Sequence, residues 1–141
     1  MLIKTYGAAV QGIDAIVVTI EGSVHQGVGF SLVGLPDTAV KESFQRVQTA
    51  LAQCGMKWPH RAVVVNMSPA DVRKEGAAYD LPIALGILAA SEQMSGESMA
   101  GYMIMGEMSL DGSVLPIRGA LPMAIKAREL GFKGLILPKA N

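Results

Sequence analysis

Cysteine and histidine are scarce in this sequence, and their scarcity excludes two kinds of site. The 141 residues contain one cysteine, Cys54, so an internal disulfide cannot form. Its place just before a glycine at a predicted helix end favours a buried structural thiol over a nucleophile. The two histidines, His25 and His60, stand apart, and Cys54 is adjacent to neither. Because metal sites need clustered ligands, no metal site is expected.

The sequence also lacks an excess of either charge and any long apolar run. Its 12 basic and 12 acidic side chains leave no net charge, so any contact with DNA must come from a local patch. No apolar run approaches the roughly 20 residues that a membrane-spanning helix needs. The opening residues, MLIK, lack the basic-then-apolar layout of a signal peptide. We therefore expect a cytoplasmic protein without membrane contact.

A phosphate-binding loop of the form Gly-x-x-x-x-Gly-Lys-Ser/Thr is absent as well. Without it, the chain is not expected to bind ATP or another cofactor by itself. The carboxylates are dispersed rather than paired. Asp37 and Asp80 stand where helix N-caps are expected, and Asp111 stands in a predicted turn. None of these carboxylates needs a catalytic role.

The residues that are present predict one compact domain over 1–141. Half of them are hydrophobic, and they recur in short blocks that can fill a core. Residues 15–21 are rich in β-branched side chains and predict a strand. A turn-like stretch over 21–27 follows, and the strand pattern resumes over 27–35. The first third of the chain is therefore predicted to be mostly strands.

Helical periodicity begins after Asp37, the predicted N-cap. Four apolar residues fall on one helix face: Val40, Phe44, Val47 and Leu51. We expect this helix to end at Gly55 and to carry a Glu42–Arg46 pair on its outer side. An apolar block over 62–67 predicts a central strand that runs into a polar loop over 68–76. Asp80 is then expected to cap a helix over 81–90 that is buried nearly all round.

The last third predicts a hairpin, a helix and a short strand. Asp111-Gly112 is a strong turn signal between strands over 107–110 and 113–117, after a strand over 102–105. The next helix, over 119–130, should stop at Gly131, and 135–137 should form the last strand. The element order predicts the α/β class, an α+β sandwich in which helices pack on one mixed sheet.

Two groups of basic residues flank the predicted central strand. Lys57 and Arg61 precede it, and Arg73 and Lys74 follow it, so the groups should form separate patches. Solvated surface charge, phosphate contact and subunit contact all remain open for them. Trp58 could stack on a base or pack over the sheet edge. These four cations are the candidate nucleic-acid-binding residues.

Three segments resemble the Lon protease domain and the Lon-like domain of the RadA/Sms recombination ATPases. They are residues 72–81 (VRKEGAAYDL), 106–119 (GEMSLDGSVLPIRG) and 131–138 (GFKGLILP). The resemblance implies the Lon protease-like fold, also called ribosomal protein S5 domain 2-like, with a mixed sheet and helices.

The two catalytic positions of that family are occupied by hydrocarbon here. Lon-type proteases use a serine, in a Lys-Asp-Gly-Pro-Ser pattern, and a lysine on the next helix that activates the serine. The resemblance places Ala78 at the serine position and Leu121 at the lysine position. Lys126 is five residues further on and is rotated about 140° around the helix. No peptidase activity is expected, although a rearranged dyad that uses Ser68 or Ser109 remains an alternative.

A longer resemblance covers nearly the whole chain. Residues 33–43 (VGLPDTAVKES), 65–76 (VNMSPADVRKEG) and 80–86 (DLPIALG) resemble the amino-terminal domain of the ComM/YifB family of magnesium-chelatase-like AAA+ proteins. The resemblance implies an accessory domain that assembles with its own downstream ATPase module, absent from this sequence, which would use ATP and Mg²⁺. It further implies a homohexamer that acts on DNA in branch migration. A magnesium-chelatase subunit is the remaining alternative.

Overall fold

Two long antiparallel strands form the centre of the main sheet. In the computed structural model, which describes residues 1–141, β1 (Leu2–Gln11) and β2 (Asp14–His25) pair from Leu2↔Ser23 to Gln11↔Asp14. The predicted strand over 15–21 is confirmed. The turn predicted over 21–27 is wrong for residues 21–25, which continue β2 as far as His25. That segment stays extended because it also pairs with the strand over 62–68, with His25 opposite Ala62.

Six strands make one mixed sheet, which confirms the predicted fold class. The remaining members are β3 (Phe30–Val33), β4 (Ala62–Ser68), β5 (Tyr102–Ile104) and β8 (Gly134–Ile136). The order across the sheet is β3-β4-β2-β1-β5-β8. The β1/β2 and β2/β4 pairs are antiparallel, and the other three are parallel. β4 is interior, as predicted, and alternate residues along it are buried.

The first predicted helix is divided in two. Helix α1 (Thr38–Lys41) begins at Asp37, whose Oδ1 accepts a hydrogen bond from the Val40 N–H at 2.8 Å. Helix α2 (Ser43–Gln53) follows after Glu42. Its end at Gly55 is confirmed: Gly55 has a φ of +76°, and the Met56 N–H bonds back to the Leu51 carbonyl at 2.9 Å. This is the glycine stop that the sequence predicts.

Cys54 lies at that helix end and is exposed, so the predicted buried thiol is wrong. The residue follows the last turn of α2, beyond the helix face that enters the core. Its Sγ lies beside the turn glycine Gly112, where an added Cβ would come within 2.3 Å of the sulfur. The thiol therefore contacts the Gly112 turn at the protein surface and does not enter the core.

The two longest remaining helices cover opposite faces of the sheet. Helix α3 (Asp80–Ala90) is buried nearly all round, as predicted, and Gly86 lies close to Gly22 of β2 and Thr5 of β1. Adjacent strand residues point to opposite faces, so Tyr6 faces away from α3. Phe132, which follows helix α4 (Ala120–Glu129), packs edge-on against Tyr6 at 5.7 Å. The sheet is thus enclosed between α3 and α4.

The predicted hairpin forms a small separate sheet. Strands β6 (Glu107–Met108) and β7 (Val114–Leu115) pair antiparallel around a five-residue connection. Asp111 accepts a hydrogen bond from the Ser113 N–H at 2.9 Å, and Gly112 has a φ of +91°. The hairpin is therefore confirmed, but its strands are shorter than predicted and do not join the main sheet.

Candidate functional site

A cavity of about 370 Å³ lies where the amino-terminal ends of α3 and α4 approach β1. Ala78, in the turn before α3, lines this cavity. Leu121, in the first turn of α4, is 71% exposed and does not line it. The two positions that the Lon resemblance singles out therefore lie at neighbouring helix starts, but only Ala78 contributes to the cavity.

The cavity wall contains few side chains that could take part in catalysis. It is formed mainly by apolar side chains, with one carboxylate, Glu75, and one guanidinium, Arg118. Its only hydroxyl belongs to Tyr79, which is buried and donates to the Ala8 carbonyl at 3.2 Å. Burial raises the pKa of the Tyr79 hydroxyl well above its ordinary value, so the group stays protonated. No serine, threonine, cysteine, lysine or histidine lines this cavity.

Asp80 does not act as the predicted N-cap, which corrects the sequence analysis. Its fully buried carboxylate accepts bonds from Ser43 Oγ at 2.6 Å, Arg46 Nε at 2.7 Å and the Met108 N–H at 3.1 Å. The pKa of Arg46 is raised, first by its hydrogen bond to Asp80. The predicted Glu42–Arg46 pair is present but longer, at 3.9 Å. Asp80 therefore joins α2, α3 and the hairpin.

Lys74 does not share a surface with the other candidate cations. The residue is fully buried, and its Nζ donates to the backbone carbonyls of Gly34, at 2.7 Å, and Pro69. Burial lowers the pKa of this ammonium group, and nearby Asp71 acts in the opposite direction. Lys74 is therefore not available for phosphate contact in this structure, and its place among the nucleic-acid-binding candidates is corrected.

Arg73 is exposed but is not a free cation. Its Nε lies 3.2 Å from Glu75 Oε1, and both side chains are largely solvated. The arginine lines a small cavity of about 140 Å³ beside Val10 and Tyr79. Because Glu75 offsets its charge, this position offers a weaker positive field than an unpaired arginine would.

Lys57 and Arg61 lie in the segment 57–61 that precedes β4. Both side chains are exposed, and neither forms an ion pair with a carboxylate. They line a cavity of about 430 Å³ together with Trp58 and His60. Arg73 follows the far end of the seven-residue β4. At about 3.3 Å per residue, roughly 20 Å separates the two places, so the groups are separate patches, as predicted.

Trp58 packs over the sheet edge, as one of its two predicted alternatives. Its ring is half-buried and meets Phe44 edge-on at 5.4 Å and Phe30 at 6.0 Å. Phe30 and Phe44 stack on each other at 4.7 Å. This aromatic cluster was not predicted, because β3 and α2 become neighbours only when the chain folds. Part of the Trp58 ring remains exposed to solvent.

Two kinds of feature are absent from the structure: a cluster of metal ligands and a helix able to span a membrane. No group of three or more His, Cys, Asp or Glu side chains is close enough to hold a metal ion. None of the helices combines the length and the apolar character required to cross a membrane.

A family model and two similar relatives point to the same protein family. The model described as subunit ChlI of Mg-chelatase matches residues 20–141. Competence protein ComM of Haemophilus influenzae is 42% identical over 137 residues, which are 96% of this chain and 27% of that protein. An uncharacterized protein, YifB, of Escherichia coli is 40% identical over 134 residues, 94% of this chain and 26% of that protein. The chain thus spans about a quarter of the length of these relatives.

Lon protease 2 of Bacillus subtilis is a more distant relative. It is 31% identical over 101 residues, which are 72% of this chain and 18% of that protein. This similarity agrees with the mixed sheet flanked by helices and with the Lon-like segments of the sequence. With the family model matching residues 20–141 and ComM and YifB matching nearly the full chain, the protein belongs to the Mg-chelatase ChlI family of AAA+ proteins, as a domain of the ComM/YifB type.

Proposed function

We propose that this chain is a non-catalytic accessory domain of a Mg-chelatase-like AAA+ ATPase, which supports assembly of the motor and contacts DNA. The observation that carries the first part is the pair Ala78 and Leu121 at the two positions where Lon-type proteases hold their serine and lysine. A methyl group and an isobutyl group can neither attack a carbonyl nor accept a proton. The cavity beside Ala78 offers no substitute nucleophile in its wall.

The family and the name of one relative support a wider proposal about the protein that carries this domain. ComM is described as a competence protein. We propose that the protein carrying this domain is likewise a DNA-directed motor, resembling a branch-migration helicase in competence or recombination. In that proposal a downstream AAA+ module binds ATP and Mg²⁺, the subunits form a homohexamer, and the protein works in the cytoplasm. Reading the gene beyond residue 141 for a Gly-x-x-x-x-Gly-Lys-Ser/Thr segment tests the module directly.

The DNA contact is proposed at Lys57 and Arg61, with a smaller part for Arg73. Charge reversal at the three positions, in the protein that carries the domain, should weaken binding of duplex DNA and reduce its salt dependence. Each lost phosphate contact should lower the slope of log K against log salt by about 0.9. Fluorescence anisotropy at several salt concentrations measures both quantities.

Matched controls separate a local contact from a general charge effect. Arg128→Glu and Lys139→Glu reverse exposed cations that form no ion pair and lie outside segment 57–61. They should leave affinity nearly unchanged. If reversal at Lys57, Arg61 and Arg73 also leaves affinity unchanged, the DNA contact is removed from the proposal, and the assembly role stands alone.

A further inference from the structure

Segment 57–61 is held in place by a side chain from another part of the chain. The Gln93 side chain accepts from the Lys57 N–H at 2.9 Å and donates to the Lys57 carbonyl at 2.7 Å. Gln93 follows α3, so this pair of bonds ties the segment to the central helix. At the other side, the ring of Trp58 is packed on Phe30 and Phe44. The segment is therefore ordered before any ligand arrives.

Two cavities share this segment. One, of about 430 Å³, lies between segment 57–61 and the residues after α3, including Ser91 and Gln93. The other, of about 240 Å³, lies between the same segment and residues 28–30, with Phe44. Trp58, His60 and Arg61 line both cavities. The tryptophan ring thus stands between two recesses, each large enough for a flat ring system.

The charged side chains that line these two cavities are all basic. No aspartate or glutamate lines either cavity. Lys57 and Arg61 are exposed and have no carboxylate partner, whereas Arg46, Arg73 and Lys126 are paired. In a chain with no net charge, this places two free cations beside a partly exposed indole ring.

From this arrangement we infer that segment 57–61 binds single-stranded nucleic acid, with Lys57 and Arg61 holding phosphates and Trp58 stacking on a base. A polyanion with flat, accessible rings can contact both the free cations and the partly exposed indole, whereas an acidic peptide can contact only the cations. In a duplex the bases are already stacked and cannot reach Trp58. The inference rests on the proposed DNA contact and specifies the strand form and the contacting ring.

Trp58 is the only tryptophan in the chain, so its fluorescence reports on this one site. The 141-residue chain is titrated with a dT oligonucleotide, a rU oligonucleotide of equal length and a duplex, while anisotropy of labelled strands follows binding. Stacking should quench the emission with a single strand and much less with the duplex. The dT and rU arms decide whether DNA or RNA is preferred.

Substitutions test the two contacts separately. Lys57→Gln with Arg61→Gln should reduce the salt slope for a single strand by about 1.4, whereas Arg128→Gln with Lys139→Gln should leave it unchanged. Trp58→Leu should weaken binding about fivefold or more, and Trp58→Phe, which keeps a flat ring, less. Circular dichroism and thermal unfolding check that each variant folds. Because quenching is measured on the unsubstituted chain, this test remains valid even if a variant fails to fold.

The outcomes separate this inference from the broader proposal. If anisotropy shows that single strands bind while the Trp58 emission is unchanged, stacking of a base on Trp58 is overturned. A DNA contact elsewhere on the chain would still stand. If the duplex quenches as strongly as the single strand, single-strand preference is overturned. If an acidic peptide quenches and competes equally, the surface is a protein-docking site instead. If no nucleic acid binds the 141-residue chain, the inference is overturned, whereas the broader DNA contact is decided by the charge-reversal measurement in the protein that carries the domain.

Discussion

At the scale of single residues, Lys74 shows that a charged side chain in a sequence need not lie on the protein surface. It belongs to a basic pair with Arg73, yet Arg73 points to solvent and Lys74 is fully buried. Its ammonium group ties the loop after β4 to the carbonyl of Gly34, next to the residues that precede α1. The sequence separation of 40 residues between those partners explains why no local pattern predicts the contact.

Burial of Lys74 predicts a pH-dependent contribution to stability. Its pKa is lowered in the folded chain and returns to about 10.4 on unfolding. Between these two values the unfolded chain holds more protons, so the wild type should gain stability as pH rises toward about 10. The effect is the difference in free energy of unfolding between the wild type and Lys74→Met, measured by urea unfolding at pH about 7 and again at pH about 10.

The comparison with Lys74→Met removes the titrations that both proteins share, including that of Tyr79. Lys139→Met, which removes an exposed ammonium, corrects for the loss of one charge. The wild type should become more stable relative to Lys74→Met at the higher pH. A difference that stays constant, or that moves in the opposite direction, would show that the folded chain does not disfavour the charged form.

At the scale of elements, Asp80 connects three pieces of structure that are distant in sequence. Ser43 and Arg46 come from α2, Asp80 opens α3, and the Met108 N–H belongs to β6. Removing one partner of a buried ion pair leaves the other charge uncompensated, which costs far more than losing a solvated pair. The contact between α2 and α3 should therefore depend on this carboxylate.

Asp80→Asn should lower the free energy of unfolding by about 3 kcal/mol, because Arg46 then faces a neutral amide in a largely buried setting. Glu42→Gln is the matched control, since Glu42 is 61% exposed and contacts the same arginine at 3.9 Å. That change should cost less than about 1 kcal/mol. Urea unfolding followed by circular dichroism gives both values. Equal losses for the two variants would contradict a central role for Asp80.

At the scale of the whole molecule, the scaffold resembles that of a protease while the cavity at its helix starts is lined mainly by hydrocarbon. Ala78, Met105 and Met123 line the space where the two helices approach β1. No hydrogen bond in the structure joins a lysine amine to a serine or threonine hydroxyl; Lys74 and Lys126 bond elsewhere.

This arrangement predicts that a serine-reactive phosphonate will not label the chain. Ser68 and Ser109 are the serines that would have to serve a rearranged dyad, and neither hydroxyl is bonded to a lysine. Mass spectrometry after incubation measures labelling, with a Lon-type protease treated in parallel as the positive control. Stoichiometric labelling that disappears in Ser68→Ala or Ser109→Ala would instead establish peptidase chemistry and overturn the non-catalytic proposal.

The sequence by itself determined the features that depend on near neighbours along the chain. Asp37 as an N-cap, Gly55 and Gly131 as helix stops, and the Asp111-Gly112 turn all follow from local backbone chemistry, and the structure contains each of them. The Lon-like segments also placed Ala78 and Leu121 at the starts of two successive helices. These conclusions needed no knowledge of which distant residues meet.

Only the tertiary structure decided the features that depend on distant partners. Asp80 is bonded to Arg46 rather than capping its helix, Lys74 is buried, and Trp58 joins Phe30 and Phe44. In each case the partners come from different elements, and their meeting is fixed by strand order and helix packing. Burial and partner choice are properties of the packed molecule, because the desolvation of a charged or aromatic side chain is set by whatever covers it.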